Sequence, residues 1–235
     1  MKTYLIYSKS ELSRQSNIER LQMLLPELEL VEAFYPNKQK TPFLKKAMAV
    51  SLQRTGAALL TGEIGCLLSH RAIWRKIAAS DIDAATHCLV LESDSRLNNP
   101  DLLVNFDKGL ITPYDLFFWG AWDGHMQIFK NGRMSINEYQ IGTPFLKSIY
   151  CTYGYSLNKQ TAKFLLKRTG KFNYPVDQYK RFMQQNDLKI GGIVPELIST
   201  TGDASNIRTN RKWEWANQLY LRLLDFKNYL ICYFK

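Results

Sequence analysis

The stretch Thr86-His87-Cys88-Leu89-Val90-Leu91 constrains this chain more than any other. A half-wet strand alternates apolar and polar residues, whereas this one is almost unbroken and must be covered on both faces. Such strands sit inside layered α/β folds, with helices packed above and below the sheet. The flanking sequence supplies partners of both kinds. Segment 3–8 (TYLIYS) and residues 28–35 read as strands, and residues 11–25 between them as a polar helix stopped by Pro26. From Thr61 a helix opens, with Thr61 as its cap, Glu63 in its first turn, and Ile64, Leu67, Leu68, Trp74 and Ile77 at helical spacing. Residues 114–120, 150–157 and 188–194 read as further strands, and 159–168 as a helix. Pro175 or Val176 is expected to start another helix. Lys38 to Gly56 reads as a basic, weakly periodic, mobile connection.

At 235 residues, 46% of them hydrophobic, the chain suffices for one sizeable core. The reading is one domain, 1–207, followed by a basic aromatic helical segment, 208–235, that either packs on the domain or lies at a membrane interface. The four cysteines (Cys66, Cys88, Cys151, Cys232) are far apart, without the spacing of a disulfide framework or zinc site. Reduced thiols and a cytoplasmic setting follow as expectations. The first apolar run is too short for a signal peptide, and no window approaches the ~20 apolar residues of a membrane span.

The formal charge of +10 asks for an anionic partner: nucleic acid, acidic membrane or phosphorylated substrate. No helix-turn-helix, zinc-finger or aromatic RNA-binding signature accompanies it, so a nucleic-acid module ranks low. A dinucleotide-binding dehydrogenase is excluded by the lack of G-x-G-x-x-G after the first strand.

The strand at 86–91 ends in Glu92-Ser93-Asp94. Residues i and i+2 of an extended chain share a face, so Glu92 and Asp94 are expected to converge and Ser93 to point away. Two carboxylates at a strand's carboxyl end, where α/β proteins bind ligands, suit Mg²⁺ or Mn²⁺ completed by substrate phosphates. Acids exposed at a strand exit give the plainer reading.

The string Leu60-Thr61-Gly62-Glu63-Ile64-Gly65-Cys66-Leu67-Leu68-Ser69-His70, then Leu89-Val90-Leu91-Glu92-Ser93-Asp94, resembles glycosyltransferase family 25, the lipooligosaccharide galactosyltransferase family. Tyr153-Gly154-Tyr155-Ser156, Pro175-Val176-Asp177, Pro195-Glu196-Leu197, Gly202-Asp203 and Ser205 continue the likeness in order. The resemblance implies a GT-A-like fold, with a Rossmann-like mixed sheet flanked by helices. It further implies a UDP-sugar donor (galactose favoured), a divalent cation (Mn²⁺ or Mg²⁺), and inverting transfer to a saccharide hydroxyl of lipooligosaccharide or lipopolysaccharide. The family's E-D-D is Glu92-Ser93-Asp94 here, so a weakened member serving as a scaffold is the alternative.

On this reading Glu92 and Asp94 hold the metal. Glu63 and His70, seven residues apart on one helix, line the donor pocket with Ser8 and Arg14, the arginine facing the pyrophosphate. The plain alternatives are a helix-start charge for Glu63, a hydrogen-bonded buried ring for His70, and a solvated side chain for Arg14. Asp177 is the candidate base for the acceptor hydroxyl, with Asp123 in reserve. His125, beside aromatics that could stack on sugars, is a metal ligand or an acceptor contact. A glycolipid acceptor and an anionic leaflet would suit the basic C-terminal segment, placing the protein peripherally on the inner membrane's cytoplasmic face.

Overall fold

The structure, a computed structural model, describes residues 1–37, 42–122, 124–202 and 215–234. Strand β1 (Thr3–Tyr7) leads through a 3-10 turn at Leu12–Arg14 into α1 (Gln15–Leu24) and β2 (Leu28–Glu32). Helices α2 (Leu44–Thr55) and α3 (Thr61–Ala79) precede β3 (Cys88–Glu92), the short β4 (Ser95–Leu97) and α4 (Pro100–Val104). Then come β5 (Leu116–Gly120), the hairpin β6 (Met134–Ile136) and β7 (Tyr139–Gly142), β8 (Gly154–Leu157) and α5 (Lys159–Arg168). A short α6 (Tyr179–Phe182), β9 (Ile190–Val194), β10 (Ile198–Thr200) and α7 (Trp215–Phe234) complete the described chain.

Eight strands form one mixed sheet in the order β2-β1-β3-β8-β5-β9-β7-β6, and β10 pairs with β4 in a second, two-stranded ribbon. β2, β1 and β3 run parallel; β8 lies antiparallel between β3 and β5; β9 is again parallel to β5. Side chains alternate across the strands as the pleat requires. Tyr4, Ile6, Val90, Phe118 and Tyr155 pack with Leu67, Trp74 and Leu165 of α3 and α5. Leu5, Leu89, Leu91, Phe117 and Trp119 meet Ile18 and Leu21 of α1 and Leu103 of α4 on the other face. Both faces of the central strands are therefore covered, which is why β3 and β5 are apolar without alternation. The expected mixed sheet between helices is the fold that forms.

Several expectations change. The stretch 38–56 is not a bare connection: α2 occupies 44–55 and ends where Gly56 adopts φ 76°, returning its N–H to Leu52 O at 2.9 Å. Its buried residues are Ala47 and Ser51, too small to register as an apolar stripe. Thr61 does not cap α3. Leu60 holds the cap position, and the Glu63 carboxylate accepts the Leu60 N–H at 2.9 Å. Pro175 and Val176 start no helix; Asp177 lies in a turn ahead of α6. The boundary at 207/208 falls outside the described residues.

α7 docks by one face. Asn228 and Cys232 are buried, the Cys232 carbonyl accepts the Lys130 N–H at 2.9 Å, and Asp225 Oδ2 stands 2.6 Å from His125 Nδ1. Its other face leaves Leu223, Phe226 and Phe234 exposed. Among the described residues, no helix is long and apolar enough to cross a membrane.

Candidate functional site

A cavity of about 270 Å³ opens at the carboxyl ends of β1 and β3, against the first turns of α3. Its wall includes Ser8, Glu11 and Arg14 after β1, Phe34 to Asn37 after β2, Gly65, Cys66, Ser69 and His70 of α3, and Glu92, Ser93 and Asp94. α3 approaches closely because Gly65 has no side chain: a Cβ there would lie 2.6 Å from the Phe34 carbonyl. Ser69 Oγ completes the junction by accepting the Phe34 N–H at 2.9 Å.

The acidic turn is pinned from below. Asn17 Nδ2 donates to the carbonyls of Ser93 (2.9 Å) and Ser95 (3.0 Å), and Ser95 Oγ accepts the Glu92 N–H at 3.0 Å. β3 ends at Glu92, so strand alternation does not extend to residues 93 and 94. Contrary to expectation, Ser93 does not turn away: its Oγ accepts from Arg14 Nη1 at 2.9 Å, and it lines the same cavity. Arg14 Nη2 is 3.2 Å from Asp94 Oδ2, and its Nε is 3.6 Å from Glu11 Oε2. The guanidinium thus holds the acidic turn, and a diphosphate would share its donors with Ser93, Asp94 and Glu11.

Glu92 is held by side chains from behind the cavity. His70 Nε2 lies 3.3 Å from its Oε1, and Thr152 Oγ1 donates to the same oxygen. Burial works against ionisation, but His70, Thr152 and the charge of Arg14 more than offset it, and the Glu92 carboxyl sits below its ordinary range. Burial, and then the nearby charges of Glu92, Asp177 and Asp94, push the Cys66 thiol far up, so it stays protonated. His70 is fully buried and its Nδ1 meets Tyr155 Oη at 2.8 Å.

Of the residues singled out in the sequence, Ser8, Arg14, His70, Glu92 and Asp94 come together on this wall. Glu63 does not line the cavity; its carboxylate is turned to the helix start. Asp177 is half-buried, and its charge is felt at Cys66 and at the Tyr179 hydroxyl. Asp123 lies outside the described residues, as do Asp203 and Ser205. His125 packs at a tilt against Trp122 (5.0 Å), which in turn packs on Tyr150 (4.5 Å). Thr152 and Tyr155 were not singled out as site residues, although Tyr155 belongs to a quoted motif. Their signal lies in partners 60 and 85 residues away.

Two donor sets could hold a cation. Glu92 and Asp94 offer carboxylate oxygens, the ligands that Mg²⁺ and Mn²⁺ take. Among the described residues, Cys66, His70 and Glu92 also bring one ligand atom each within 4.8 Å of one another, a set suited to a softer metal.

The chain matches the family model for glycosyltransferase family 25 (LPS biosynthesis protein) over residues 1–180. It is 26% identical over 182 residues to procollagen galactosyltransferase 2 of Homo sapiens, covering 66% of this chain and 28% of that protein. It is 25% identical over 240 residues to procollagen galactosyltransferase 1-B of Xenopus laevis, covering 87% of this chain and 38% of that one. Over 189 residues it is 28% identical to inactive glycosyltransferase 25 family member 3 of Mus musculus, covering 68% of this chain and 30% of that protein. The chain therefore spans well under half the length of these relatives.

Proposed function

The chain belongs to glycosyltransferase family 25, and from that premise we propose that it transfers a hexose, galactose first, from a UDP-sugar to a saccharide hydroxyl with inversion. The observation that carries the reading is the cavity at the ends of β1 and β3, where Ser8, Arg14, Glu92, Ser93 and Asp94 face one space. In α/β sheets that edge receives nucleotides and phosphates. Arg14 offers a cation to the diphosphate. Glu92 and Asp94 supply the oxygens that fit Mn²⁺ or Mg²⁺, whose chemistry when bound is to neutralise the leaving diphosphate.

Asp177 is the proposed base. An inverting transfer needs a carboxylate to accept the acceptor's proton as its oxygen attacks the anomeric carbon. Asp177 does not line the cavity itself; its half-buried place in the turn ahead of α6 and its charge, felt at Cys66, support the assignment. Asp123 stays in reserve. The proposed acceptor is a lipooligosaccharide or lipopolysaccharide, which the family description favours. The exposed apolar residues of α7 with Arg222 and Lys227 support a peripheral site on an anionic cytoplasmic leaflet.

A second reading, a scaffold without turnover, draws on Ser93 and on the likeness to the inactive mouse family member. Calorimetric titration with UDP-galactose and UDP-glucose, each with Mn²⁺ or with chelator, followed by measurement of UDP release, separates the two. The expected outcome is Mn²⁺-dependent binding with turnover, weakened about ten-fold or more in Glu92→Gln, a loss of about 1.4 kcal/mol. Binding without turnover under any acceptor supports the scaffold. Binding indifferent to chelator and to Glu92→Gln removes the cation role.

A further inference from the structure

The hydrogen bonds behind Glu92 have a direction that the chemistry of their ends decides. Trp74 Nε1 is a donor only, and it donates to Tyr155 Oη at 2.9 Å. Tyr155 is fully buried and must place its own hydrogen elsewhere; His70 Nδ1, at 2.8 Å, is its acceptor. An accepting Nδ1 puts the hydrogen of the neutral ring on Nε2, which faces Glu92 Oε1 at 3.3 Å. Thr152 Oγ1 donates to that same Oε1. Among the described residues, Glu92 Oε2 receives no side-chain hydrogen bond, while Glu92 itself lines the cavity.

We infer that Trp74, Tyr155 and His70 form a positioning relay that fixes Glu92 through Oε1 and presents Oε2 to the cation and diphosphate of the donor. His70 is then a positioning residue and not a metal ligand. The inference rests on the donor-binding reading above. It also decides between the two cation sets. For Cys66, His70 and Glu92 to close on one ion, Nε2 would have to give up its hydrogen and Nδ1 take one. Tyr155 Oη would then receive hydrogens from both Trp74 and His70, and its own would have no acceptor in a fully buried place. The oxygen set, Glu92 Oε2 with Asp94, asks for no such reversal.

The test reads the ring directly. In the full chain with ¹⁵N-labelled histidine, the resonances that vanish in His70→Gln are those of His70, and they should show hydrogen on Nε2. Tyr155→Phe keeps the buried ring but removes the hydroxyl, and should shift His70 to a mixture of tautomers. The same variant should weaken Mn²⁺-dependent UDP-galactose binding about ten-fold. Trp74→Phe, which removes the donor that orients the Tyr155 hydroxyl, should shift His70 toward the same mixture, less far than Tyr155→Phe does. His70→Gln, whose side-chain amide can still donate to Oε1, should bind donor better than His70→Ala.

Hydrogen on Nδ1 in the wild type overturns the inference. So does loss of the Nε2–H signal on titration with Zn²⁺, or a Tyr155→Phe protein unchanged in both tautomer and affinity. Wild-type protein that shows the Nε2 tautomer but binds no UDP-sugar defeats the donor reading instead, and with it the role given to Oε2, while the relay's geometry stands.

Discussion

Arg14 and Ser93 carry the sharpest question at the scale of single residues. The strand rule places Ser93 away from the site, yet the strand stops at Glu92 and Ser93 Oγ accepts from Arg14 at 2.9 Å. A carboxylate at 93 would therefore arrive on the cavity wall, next to a guanidinium already shared with Asp94 and Glu11. Ser93→Asp is expected to draw Arg14 away from Asp94 and free that acid for a cation. Mn²⁺ affinity, read by titration, should rise roughly ten-fold, consistent with the further anionic oxygen ligands offered. An unchanged affinity would show that the serine is no handicap. The acidic turn itself was legible in the sequence because three polar residues end an apolar run. What could not be read was where extended backbone gives way to a turn, since Asn17, 76 residues away, pins that turn. Glu63 errs the other way: its job is local, accepting the N–H of Leu60, and a family motif made it look like pocket chemistry.

At the scale of elements, β8 is the piece that composition concealed. It enters antiparallel between two parallel strands and carries Tyr155 to the back of His70. Periodicity located the strand, but pairing order is a long-range property that no local pattern encodes. α2 escaped for a different reason: it buries small residues, Ala47 and Ser51, and shows basic side chains around them. The start of β3 is locked to β8 by His87. Its Nε2 donates to the Tyr114 carbonyl at 2.8 Å, and its Nδ1 accepts from Ser156 Oγ at 3.1 Å. Burial pushes this imidazole below its ordinary value of 6.5, so it is held neutral. The folded value lies below the unfolded one, and the unfolded chain therefore binds the proton more tightly. The stabilisation is full above pH 6.5 and is lost as pH falls through the folded value. The thermal unfolding midpoint should accordingly drop between pH 7.5 and 5 in the wild type. His87→Gln should lower the midpoint at pH 7.5 but remove this part of the pH dependence. An identical slope in both proteins would place the titration elsewhere.

For the whole molecule, the net charge of +10 includes cations at two places that bear on function. Part of it, at Arg14, sits on the cavity wall, and part rides on α7, where Arg222 and Lys227 flank the exposed Leu223 and Phe226. The full chain should therefore sediment with phosphatidylglycerol-containing vesicles and much less with phosphatidylcholine alone. Leu223→Glu with Phe226→Glu should cut that binding about ten-fold while leaving donor affinity intact. Equal sedimentation with both lipids, or none with either, would remove the membrane from the reading. The layered class could be read from the sequence, because long apolar runs and helical spacing report it directly, whereas the short β4, β6, β7 and β10 could not. The site could be read only in its first half, and the sheet order explains why. The wall made by β1, α3 and β3 is complete by residue 94, but Thr152 and Tyr155 arrive 60 and 85 residues after the partners they hold. The first hundred residues carry Glu92 and its His70 contact, whereas the Thr152 hydroxyl on Oε1 and the Tyr155 hydroxyl behind His70 come only with the chain around β8. A carboxylate at the end of one strand is thus held in place by a strand that enters the sheet only much later in the chain.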